Sequence, residues 1–348
     1  MAQSVVNAAI LGASGYTGAD LVRLALQHPN VRIAALGADS KAGRSIAETF
    51  PHLGFYDLPV LQKPDDIAWD AIDVAFGCLP HGASEQVLSR LPKHVQIIDL
   101  SADFRLKDPG VYAHWYGRPH ESPALLGDAV YGLTEWARAD LADAALIACP
   151  GCYPTAALLA LKPLVAAGAI LPDDLIIDAK SGVSGAGRSL KEQNLFCEAG
   201  EGLHAYGIAA HRHAPEIEQQ LSGIAGARVL VNFTPHLVPM NRGELVTCYA
   251  RLAPGATISD VRAALLNRYG EEPFVHVAPE GLSPATRHVR GSNHVLVNAF
   301  ADRLPGRVIV IAAIDNLVKG SAGQALQNLN VARGFDETAG LMQAPLFP

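Results

Sequence analysis

A glycine-rich turn joins a short apolar strand to a helix near the start of the chain. The apolar run Val5 to Leu11 predicts a buried strand, and residues 19–27 predict a helix. Between these two elements, Gly12, Gly15 and Gly18 are spaced three residues apart. Glycines at such a turn let the backbone approach a pyrophosphate group, which rests at the positive end of the following helix. This order predicts a dinucleotide-binding unit in a parallel sheet; a tight turn without a ligand is the alternative.

The end of the second predicted strand bears on which dinucleotide binds. An acidic residue at this place favours NAD, whereas basic residues accommodate the additional phosphate of NADP. The strand is predicted over Val31 to Leu36, and it is followed by Asp39 but also by Ser40, Lys41 and Arg44. Two cations and a hydroxyl outnumber one carboxylate, so we expect NADP(H). The remaining contacts expected from this unit lie in the glycine loop: Gly12, Ser14, Gly15, Tyr16, Thr17 and Gly18.

The alternation of strands and helices continues beyond this unit. Further buried strands are predicted over Ile72 to Phe76 and over Val95 to Leu100. Loops at the carboxyl ends of parallel strands carry the ligands of such sheets, so we expect Leu79 and Pro80 to contact the cofactor. Arg105 follows the second of these strands, and its guanidinium suits a carboxylate or a phosphate. A surface ion pair with a nearby aspartate is the alternative for this arginine.

Cys152 is a candidate nucleophile. It lies in the run Cys149-Pro150-Gly151-Cys152, between an apolar stretch at 144–147 and a helix-like stretch at 156–164. Pro154 fits a first helical turn, which predicts a helix that begins one or two residues after the sulfur. A thiolate at that place is stabilised by the helix dipole and by unpartnered backbone N–H groups. An inert buried thiol is the other interpretation of this residue.

The second half of the chain has a different pattern. Runs typical of β-strands at Leu175–Ala179, Arg228–Pro235 and Leu245–Leu252 are separated by long loops, which predicts an antiparallel or mixed sheet in a second domain. The loop at 180–188 is rich in glycine and hydroxyl groups and ends in Arg188. Such a loop is typical of an anion site if its N–H groups converge, and a flexible connection is the alternative.

His211 and His213 immediately precede a predicted helix, where a histidine is well placed to act as an acid or base. No cysteine or carboxylate lies beside them at the spacing of zinc ligands, so we expect no metal. A structural role for at least one of the two histidines stays open. Farther on, the apolar strand 307–314 is followed by small residues and by a helix at 325–331. We expect this last helix to return to the N-terminal domain.

Composition narrows the classes of function. The 348 residues are 49% hydrophobic and 18% charged, which suits two globular domains. A net charge of −7 gives no reason to expect nucleic acid or an anionic membrane as partner. No apolar run reaches the roughly 20 residues that span a bilayer. The five cysteines and the absence of a basic leader at the N-terminus favour a reducing cytoplasm, so small-molecule chemistry is the expectation.

A dinucleotide-binding unit, a candidate cysteine nucleophile and a downstream histidine together indicate a reaction class. A thiolate attacks an activated acyl carbon, the leaving group departs, and hydride from a nicotinamide reduces the thioester to an aldehyde. Phosphate is an obvious leaving group, and the basic residues suit an anionic substrate. The available donors to the oxyanion are the Cys152 backbone N–H and an imidazolium.

The motif from Ile147 to Ala156, with Pro163 after it, resembles the active-site signature of the N-acetyl-γ-glutamyl-phosphate reductase family, which is related to the aspartate-semialdehyde dehydrogenases. Further segments resemble the same family in the same order along nearly the whole chain. These segments are Gly12–Gly18, Leu79–Gly82, Ser101–Arg105, Tyr131–Leu133, Ser181–Arg188, His211–Ile217 and Asp315–Gly323.

The resemblance implies a fold and an activity. The fold is α/β: a Rossmann domain at 1–148, an α+β catalytic and oligomerisation domain with a mixed or antiparallel sheet at 149–318, and a C-terminal helix and tail at 319–348 that return to the Rossmann domain. The activity is the NADPH-dependent reduction of N-acetyl-γ-glutamyl phosphate to its semialdehyde in arginine biosynthesis. A homodimer or a homotetramer is also implied.

The resemblance further implies roles for individual residues. Cys152 forms the acyl-enzyme, and we expect His211, rather than His213, to be the acid/base. Asn316 and Gly320 are expected near the nicotinamide. The residues expected to bind the substrate are Arg105, Ser181, Ser184, Arg188 and His213.

Two residues depart from the family pattern, and several alternatives stay open. Cys149 stands where the family usually has asparagine, and Asp39 stands where a basic residue is commoner. The C-x-x-C motif also fits a thiol-disulfide protein, and the glycine loop alone would fit a dinucleotide sensor. A relative that acts on N-acetyl-aminoadipyl phosphate or on a carrier-protein-linked substrate is the nearest alternative, because one methylene gives only about 1 to 3 kcal/mol of discrimination.

Overall fold

The computed structural model describes residues 5–347. The chain divides into two compact units. The first extends to Pro150 and also includes Ser321–Gln343, whereas the second comprises Gly151–Gly320 with the C-terminal residues from Ala344 onward. The divisions lie after residues 150 and 320, while the sequence places the domain boundaries after residues 148 and 318.

The first unit contains a seven-stranded sheet in the order β3-β2-β1-β4-β5-β7-β6, and every strand pair is parallel. Its strands are β1 (Val6–Leu11), β2 (Val31–Gly37), β3 (Leu61–Gln62), β4 (Val74–Gly77), β5 (Gln96–Asp99), β6 (Val130–Tyr131) and β7 (Leu146–Ala148). Its helices up to residue 150 are α1 (Tyr16–Ala25), α2 (Ser84–Leu88), α3 (Pro109–Tyr116), α4 (Pro123–Asp128) and α5 (Thr134–Leu141). The central strands β1 and β4 are apolar except for Asn7, as is typical of parallel sheets, whose two faces are both covered by helices.

The glycine turn between β1 and α1 is held by close backbone contacts. Gly12 has φ +79°, and a Cβ there would lie 2.2 Å from the Cys78 carbonyl oxygen. A Cβ on Gly18 would lie 2.4 Å from the Gly12 carbonyl oxygen. The helix begins at Tyr16, three residues earlier than predicted, because Gly15 is the N-cap and Gly18 belongs to the first turn. Packing of the turn therefore requires Gly12 and Gly18 whether or not a ligand binds.

The second unit is built on a mixed seven-stranded sheet in the order β12-β13-β14-β11-β8-β10-β9. Its strands are β8 (Leu175–Gly182), β9 (His204–Ala205), β10 (Val231–Val238), β11 (Glu244–Arg251), β12 (Val275–Val277), β13 (Val295–Ala301) and β14 (Arg307–Ile314). Its helices are α6 (Cys152–Ala166), α7 (Phe196–Ala199), α8 (His213–Ala225) and α9 (Ile258–Tyr269). Helix α6 is almost entirely buried and packs against β11 and β14, so its N-terminus is fixed by the centre of the sheet.

Strand β8 continues farther than the sequence predicts. Lys180–Gly182 was expected to begin an anion-binding loop, but these residues pair with His236–Val238 of β10. The strand accommodates polar residues because one of its faces is only partly buried, with buried and half-buried positions alternating up to Lys180. The candidate anion loop therefore begins only after Gly182.

The last helix, α10 (Gly323–Ala332), belongs to the first unit, where it packs against α5 and α1. Amide side chains make many of its contacts. Gln324 and Asn328 donate to the Gly132 carbonyl at 3.1 and 2.8 Å, and Asn330 donates to the Ala339 carbonyl at 2.9 Å. The predicted return of the C-terminal helix to the N-terminal domain is confirmed.

Candidate active site

Cys152 is the first residue of α6, which corrects the prediction of a helix that begins after the sulfur. The backbone N–H and the hydroxyl of Thr155 both donate to the Gly151 carbonyl at 2.9 Å, which makes Gly151 the N-cap. As a glycine, the N-cap residue has no side chain that could accept a hydrogen bond from the first turn. The half-buried thiol therefore projects from a first turn whose N–H groups lack intrahelical partners, and these groups stabilise negative charge.

Glu216 fixes the residue before the cysteine. It lies in the first turn of α8, is buried, and its carboxylate accepts the Gly151 N–H at 2.9 Å. From the sequence, Glu216 is known only as part of the segment His211–Ile217. Its observed role is to hold the backbone that orients Cys152.

Gly320 lies directly against Cys152. It belongs to a π-helical turn, Val318–Ala322, and its N–H donates to the Asp315 carbonyl at 3.0 Å. A Cβ on Gly320 would lie 2.7 Å from the Cys152 Cβ and 3.2 Å from the Cys152 Cα. So close a contact leaves space only for glycine. Gly320 therefore has a steric role at Cys152, in addition to its predicted position near the nicotinamide.

An aromatic cluster places both candidate histidines beside the residue that follows Cys152. The rings of His211 and His213 lie 5.9 and 5.8 Å from the ring of Tyr153, and 4.7 Å from each other. The Tyr206 ring lies 5.2 Å from His211. The structure thus brings Cys152, His211 and His213 into one region of the second unit.

The environment of His211 sets its protonation. Burial, together with the charge of Arg212, lowers the pKa of His211 to about 4, so the imidazole is neutral at neutral pH. Its Nδ1 accepts the backbone N–H of His213 at 3.1 Å, which places the proton on Nε2. In this state His211 is a hydrogen-bond donor at Nε2 and is not available as a base at that atom.

Two tyrosine hydroxyls lie near the thiol. Tyr206 donates to the hydroxyl of Tyr153 at 3.4 Å, and Tyr153 donates to the His236 carbonyl at 3.0 Å. Burial raises the pKa of both hydroxyls, and the charges of Cys152 and Glu244 raise it further. Both tyrosines therefore stay neutral and supply polar groups without charge.

Glu244 is a component of the site that the sequence analysis misses. It begins β11 and is completely buried, and neither of its carboxyl oxygens has a hydrogen-bond partner among residues 5–347. Burial raises the pKa of Glu244 to about 8. An acidic residue at the start of a predicted buried strand is a signal of a functional residue that the sequence does contain, because burying a carboxyl group without a partner costs free energy.

Asn316 connects the loops around the predicted substrate residues. Its side chain is buried, donates to the Ser184 hydroxyl at 3.0 Å and accepts the Gly243 N–H at 2.8 Å. A Cβ on Gly185 would lie 2.9 Å from the hydroxyl of the buried Ser181. Ser181, Ser184 and Asn316 are thus brought together, whereas Arg188 is exposed.

Arg105 belongs to the first unit and is buried. Its Nε donates to the Cys149 carbonyl at 2.8 Å, and a terminal nitrogen donates to the Leu100 carbonyl at 3.0 Å. These bonds hold backbone segments together, so they give the arginine a structural role that the sequence does not predict. Its expected substrate contact stays a prediction.

Cys149 has the environment of an inert thiol. It is buried, and burial raises its pKa to about 12. The Asn328 amide donates to its sulfur at 3.6 Å. In the part of the chain that the structure describes, all five cysteines are free thiols. These features suit a packing residue better than half of a redox pair.

The expected cofactor residues of the glycine loop, of the segment after β2 and of the segment after β4 lie in the first unit, whereas Asn316 and Gly320 belong to the second. The first turn of α1, from Tyr16 onward, contains no acidic residue and has no side-chain cap, so its N–H groups suit an anion. A Cβ on Gly15 would lie 3.4 Å from the Gly12 carbonyl oxygen, so a larger residue would reduce the space at this turn. After β2, Lys41 bonds to the Thr49 hydroxyl at 2.8 Å. The positions that are exposed or half-buried are Ser14, Tyr16, Thr17, Asp39, Ser40, Arg44, Leu79 and Pro80.

Among residues 5–347, no three His, Cys, Asp or Glu side chains are grouped so that they could hold a metal ion. Over the same residues, no helix has both the length and the apolar character that crossing a bilayer requires.

Both units match models of known protein families. Residues 7–144 match the model of the semialdehyde dehydrogenase NAD binding domain, and residues 152–316 match that of the semialdehyde dehydrogenase dimerisation domain. Among solved structures, an aspartate semialdehyde dehydrogenase II from Vibrio cholerae aligns with 94% of this chain and 98% of its own. The TM-score is 0.70 at 18% identity, so this likeness concerns the fold.

Relatives with higher sequence identity have a more specific name. The N-acetyl-gamma-glutamyl-phosphate reductase of Rhodospirillum rubrum is 58% identical and is matched over 99% of both chains. A probable chloroplastic N-acetyl-gamma-glutamyl-phosphate reductase of Arabidopsis thaliana is 50% identical over 99% of this chain and 86% of its own length.

The fold and the cysteine at the start of α6 define an oxidoreductase of the semialdehyde dehydrogenase class. The Rossmann-type parallel sheet, the mixed second sheet and a nicotinamide-dinucleotide cofactor, all expected from the sequence, are confirmed. Within this class, the chain belongs to the N-acetyl-γ-glutamyl-phosphate reductase family, as its motifs indicate.

Proposed function

We propose that this enzyme reduces N-acetyl-γ-glutamyl phosphate to N-acetylglutamate semialdehyde with NADPH, through a thioester on Cys152. The observation that carries the proposal is the thiol on the first residue of α6, directly after an N-cap glycine. The family membership and the name of the relative from Rhodospirillum rubrum support the choice of substrate.

Cys152 acts first. Its thiolate attacks the acyl carbon, the bond from carbon to the phosphate oxygen breaks, and phosphate leaves with the electron pair. The N–H groups of the first turn of α6 and the Nε2–H of His211 are the donors that can stabilise the oxyanion. NADPH, when bound, supplies the hydride that reduces the thioester. The Cys152 sulfur then departs with the electron pair of its bond to carbon and releases the semialdehyde.

The substrate and its longer homologue can be separated by initial rates. We expect N-acetylglutamate semialdehyde to be oxidised roughly 10- to 200-fold more efficiently than the acetylaminoadipyl semialdehyde, in the presence of phosphate and NADP⁺, because one methylene sets the fit. Side-by-side measurement of kcat/KM for both aldehydes tests this. A reversed preference would assign the enzyme to the longer substrate, and equal values of kcat/KM would show that the site does not discriminate between the two substrate lengths.

NADP⁺ is expected to bind more tightly than NAD⁺. Ser40, Lys41 and Arg44 follow β2, and a charge-assisted hydrogen bond from Arg44 to the additional phosphate is worth about 1.5 to 3 kcal/mol. Arg44→Ala is therefore expected to weaken NADP⁺ roughly tenfold or more and to leave NAD⁺ unchanged, as followed by calorimetric titration. Arg32→Ala, at the other end of β2, is the matched control. Tighter NAD⁺ binding in the wild type would instead assign the decisive contact to Asp39.

We propose a homodimer or a homotetramer assembled through the region that matches the dimerisation domain, residues 152–316. We also propose a Rossmann segment at 1–148, a catalytic segment at 149–318 and a C-terminal segment at 319–348. The cytoplasmic location stays a prediction.

A further inference from the structure

Asp315 is a buried acidic residue to which the proposed reaction gives no role. It directly follows β14 and is completely buried. Its side chain accepts the Gly291 N–H at 2.6 Å, the Leu317 N–H at 2.9 Å and the Val318 N–H at 3.1 Å. Hydrogen bonds to a carboxylate are stronger than those between neutral groups, so three backbone donors around one side chain hold the surrounding backbone firmly.

Arg242 compensates the charge of this carboxylate. It lies between β10 and β11 and is partly exposed, and its Nη1 lies 3.4 and 3.3 Å from the two carboxylate oxygens of Asp315. The next residue, Gly243, donates its N–H to the side chain of Asn316 at 2.8 Å. A buried charge without a partner is costly, so the ion pair stabilises Asp315 in its place. The connection between β10 and β11 is thus joined to two successive residues after β14.

The turn that Asp315 holds leads directly to the cysteine. The Gly320 N–H donates to the main-chain carbonyl of Asp315 at 3.0 Å, so side chain and main chain of Asp315 both bond within the next five residues. Gly320 in turn lies against Cys152, where a Cβ on the glycine would be 2.7 Å from the Cys152 Cβ. Because the contact is this close, a displacement of the turn changes the space in which the thiol lies.

We propose that Asp315 is a positioning residue that holds residues 316–320 against Cys152 and thereby sets the direction of its thiol. Oδ2 accepts the Gly291 N–H, whereas Oδ1 accepts the two N–H groups that follow in the chain. A carboxylate offers an acceptor on both sides, but an asparagine offers an acceptor on one side and an NH₂ donor on the other. This inference rests on the proposed role of Cys152 as the nucleophile.

Asp315→Asn tests the proposal, because one set of backbone N–H groups then faces a donor. We expect kcat to fall roughly 10- to 100-fold, since the reacting thiol is misplaced. KM for the semialdehyde should stay within about threefold, because substrate binding is not what the residue controls. Without substrate or cofactor, the amides of residues 317–320 should exchange hydrogen faster, as measured by mass spectrometry of the peptide that contains them.

A double variant tests whether Asp315 acts through Gly320. If it does, Asp315→Asn and Gly320→Ala disturb the same contact, so their effects on kcat/KM should be strongly non-additive. Additive effects would mean that Asp315 acts elsewhere and would overturn the proposal. Unchanged kcat in a folded Asp315→Asn protein, a rise in KM alone, or a lower kcat without faster exchange at residues 317–320 would also overturn it.

Asp260→Asn is the matched control. Asp260 accepts the Thr257 N–H at 2.8 Å and the Thr257 hydroxyl at 2.7 Å at the start of α9, so its loss should lower the unfolding temperature and leave kcat unchanged. If Asp315→Asn fails to fold, Arg242→Gln weakens the ion pair, keeps the carboxylate, and is judged by the same criteria. The activity of Cys152→Ser tests the nucleophile separately, and hydrogen exchange needs no substrate, so the two failures are distinguishable.

Discussion

Replacing Cys152 with serine is expected to abolish phosphate-dependent reduction of NADP⁺ by the semialdehyde, with a loss of roughly 10³-fold or more. A serine hydroxyl is far less acidic than a thiol, and the helix end that stabilises a thiolate does not generate an alkoxide. Binding of NADP⁺ should persist, because Cys152 is not among its expected contacts, most of which lie in the glycine loop and after β2. Steady-state rates and calorimetric titration of the same protein measure both properties.

Cys149→Ser and Cys197→Ser are the controls for this variant. Cys149 is a buried thiol that stays protonated, and Cys197 is exposed, so both variants should keep substantial activity. Parallel loss of activity and of cofactor binding in Cys152→Ser would mean that the residue is structural. Loss of activity in Cys149→Ser together with a reversible disulfide would favour the thiol-disulfide interpretation.

Adding one methyl group at Gly320 is expected to reduce kcat/KM on the order of 10²-fold, since small displacements of a reacting group have effects of that size. The new Cβ would lie 2.7 Å from the Cys152 Cβ, so α6 or the π-helical turn must move. Overpacking of this kind costs about 1 to 3 kcal/mol, so Gly320→Ala should also unfold at lower temperature. Kinetic assays and thermal unfolding of the variant measure the two effects.

Gly223→Ala is the matched control for this substitution. Gly223 lies inside α8, where an added Cβ meets nothing within 4 Å. Alanine should therefore stabilise the protein by about 0.5 to 1 kcal/mol and leave the kinetics unchanged. If Gly320→Ala behaved in the same way, the close contact with Cys152 would have no consequence for catalysis.

The sequence predicts those elements whose local pattern and tertiary environment agree. Strand β14 is found at the predicted residues, 307–314, because it is apolar throughout and lies inside a sheet. The glycine turn is also found between a strand and a helix. Helix α6 begins earlier than predicted because Gly151, rather than a residue after the sulfur, accepts the first hydrogen bonds.

Other parts of the site depend on contacts between segments distant in sequence, which no local pattern reveals. Glu244 lies 92 positions beyond Cys152 in the sequence, but it begins the strand against which the helix of Cys152 packs. Gly320 is glycine because of the cysteine that it contacts, not because of its own turn. The sequence indicates the motif that contains Arg105, but it does not indicate the backbone carbonyl groups to which the guanidinium donates hydrogen bonds.

The amide contacts of α10 have a consequence for the order in which the protein folds. Gln324 and Asn328 satisfy a carbonyl of Gly132 from the far end of the chain, and Asn330 holds the segment that follows α10. A ribosome that has released only residues up to 150 has therefore made a domain that still lacks its last helix. We expect this nascent domain to close only at the end of translation, after the second unit has been synthesised.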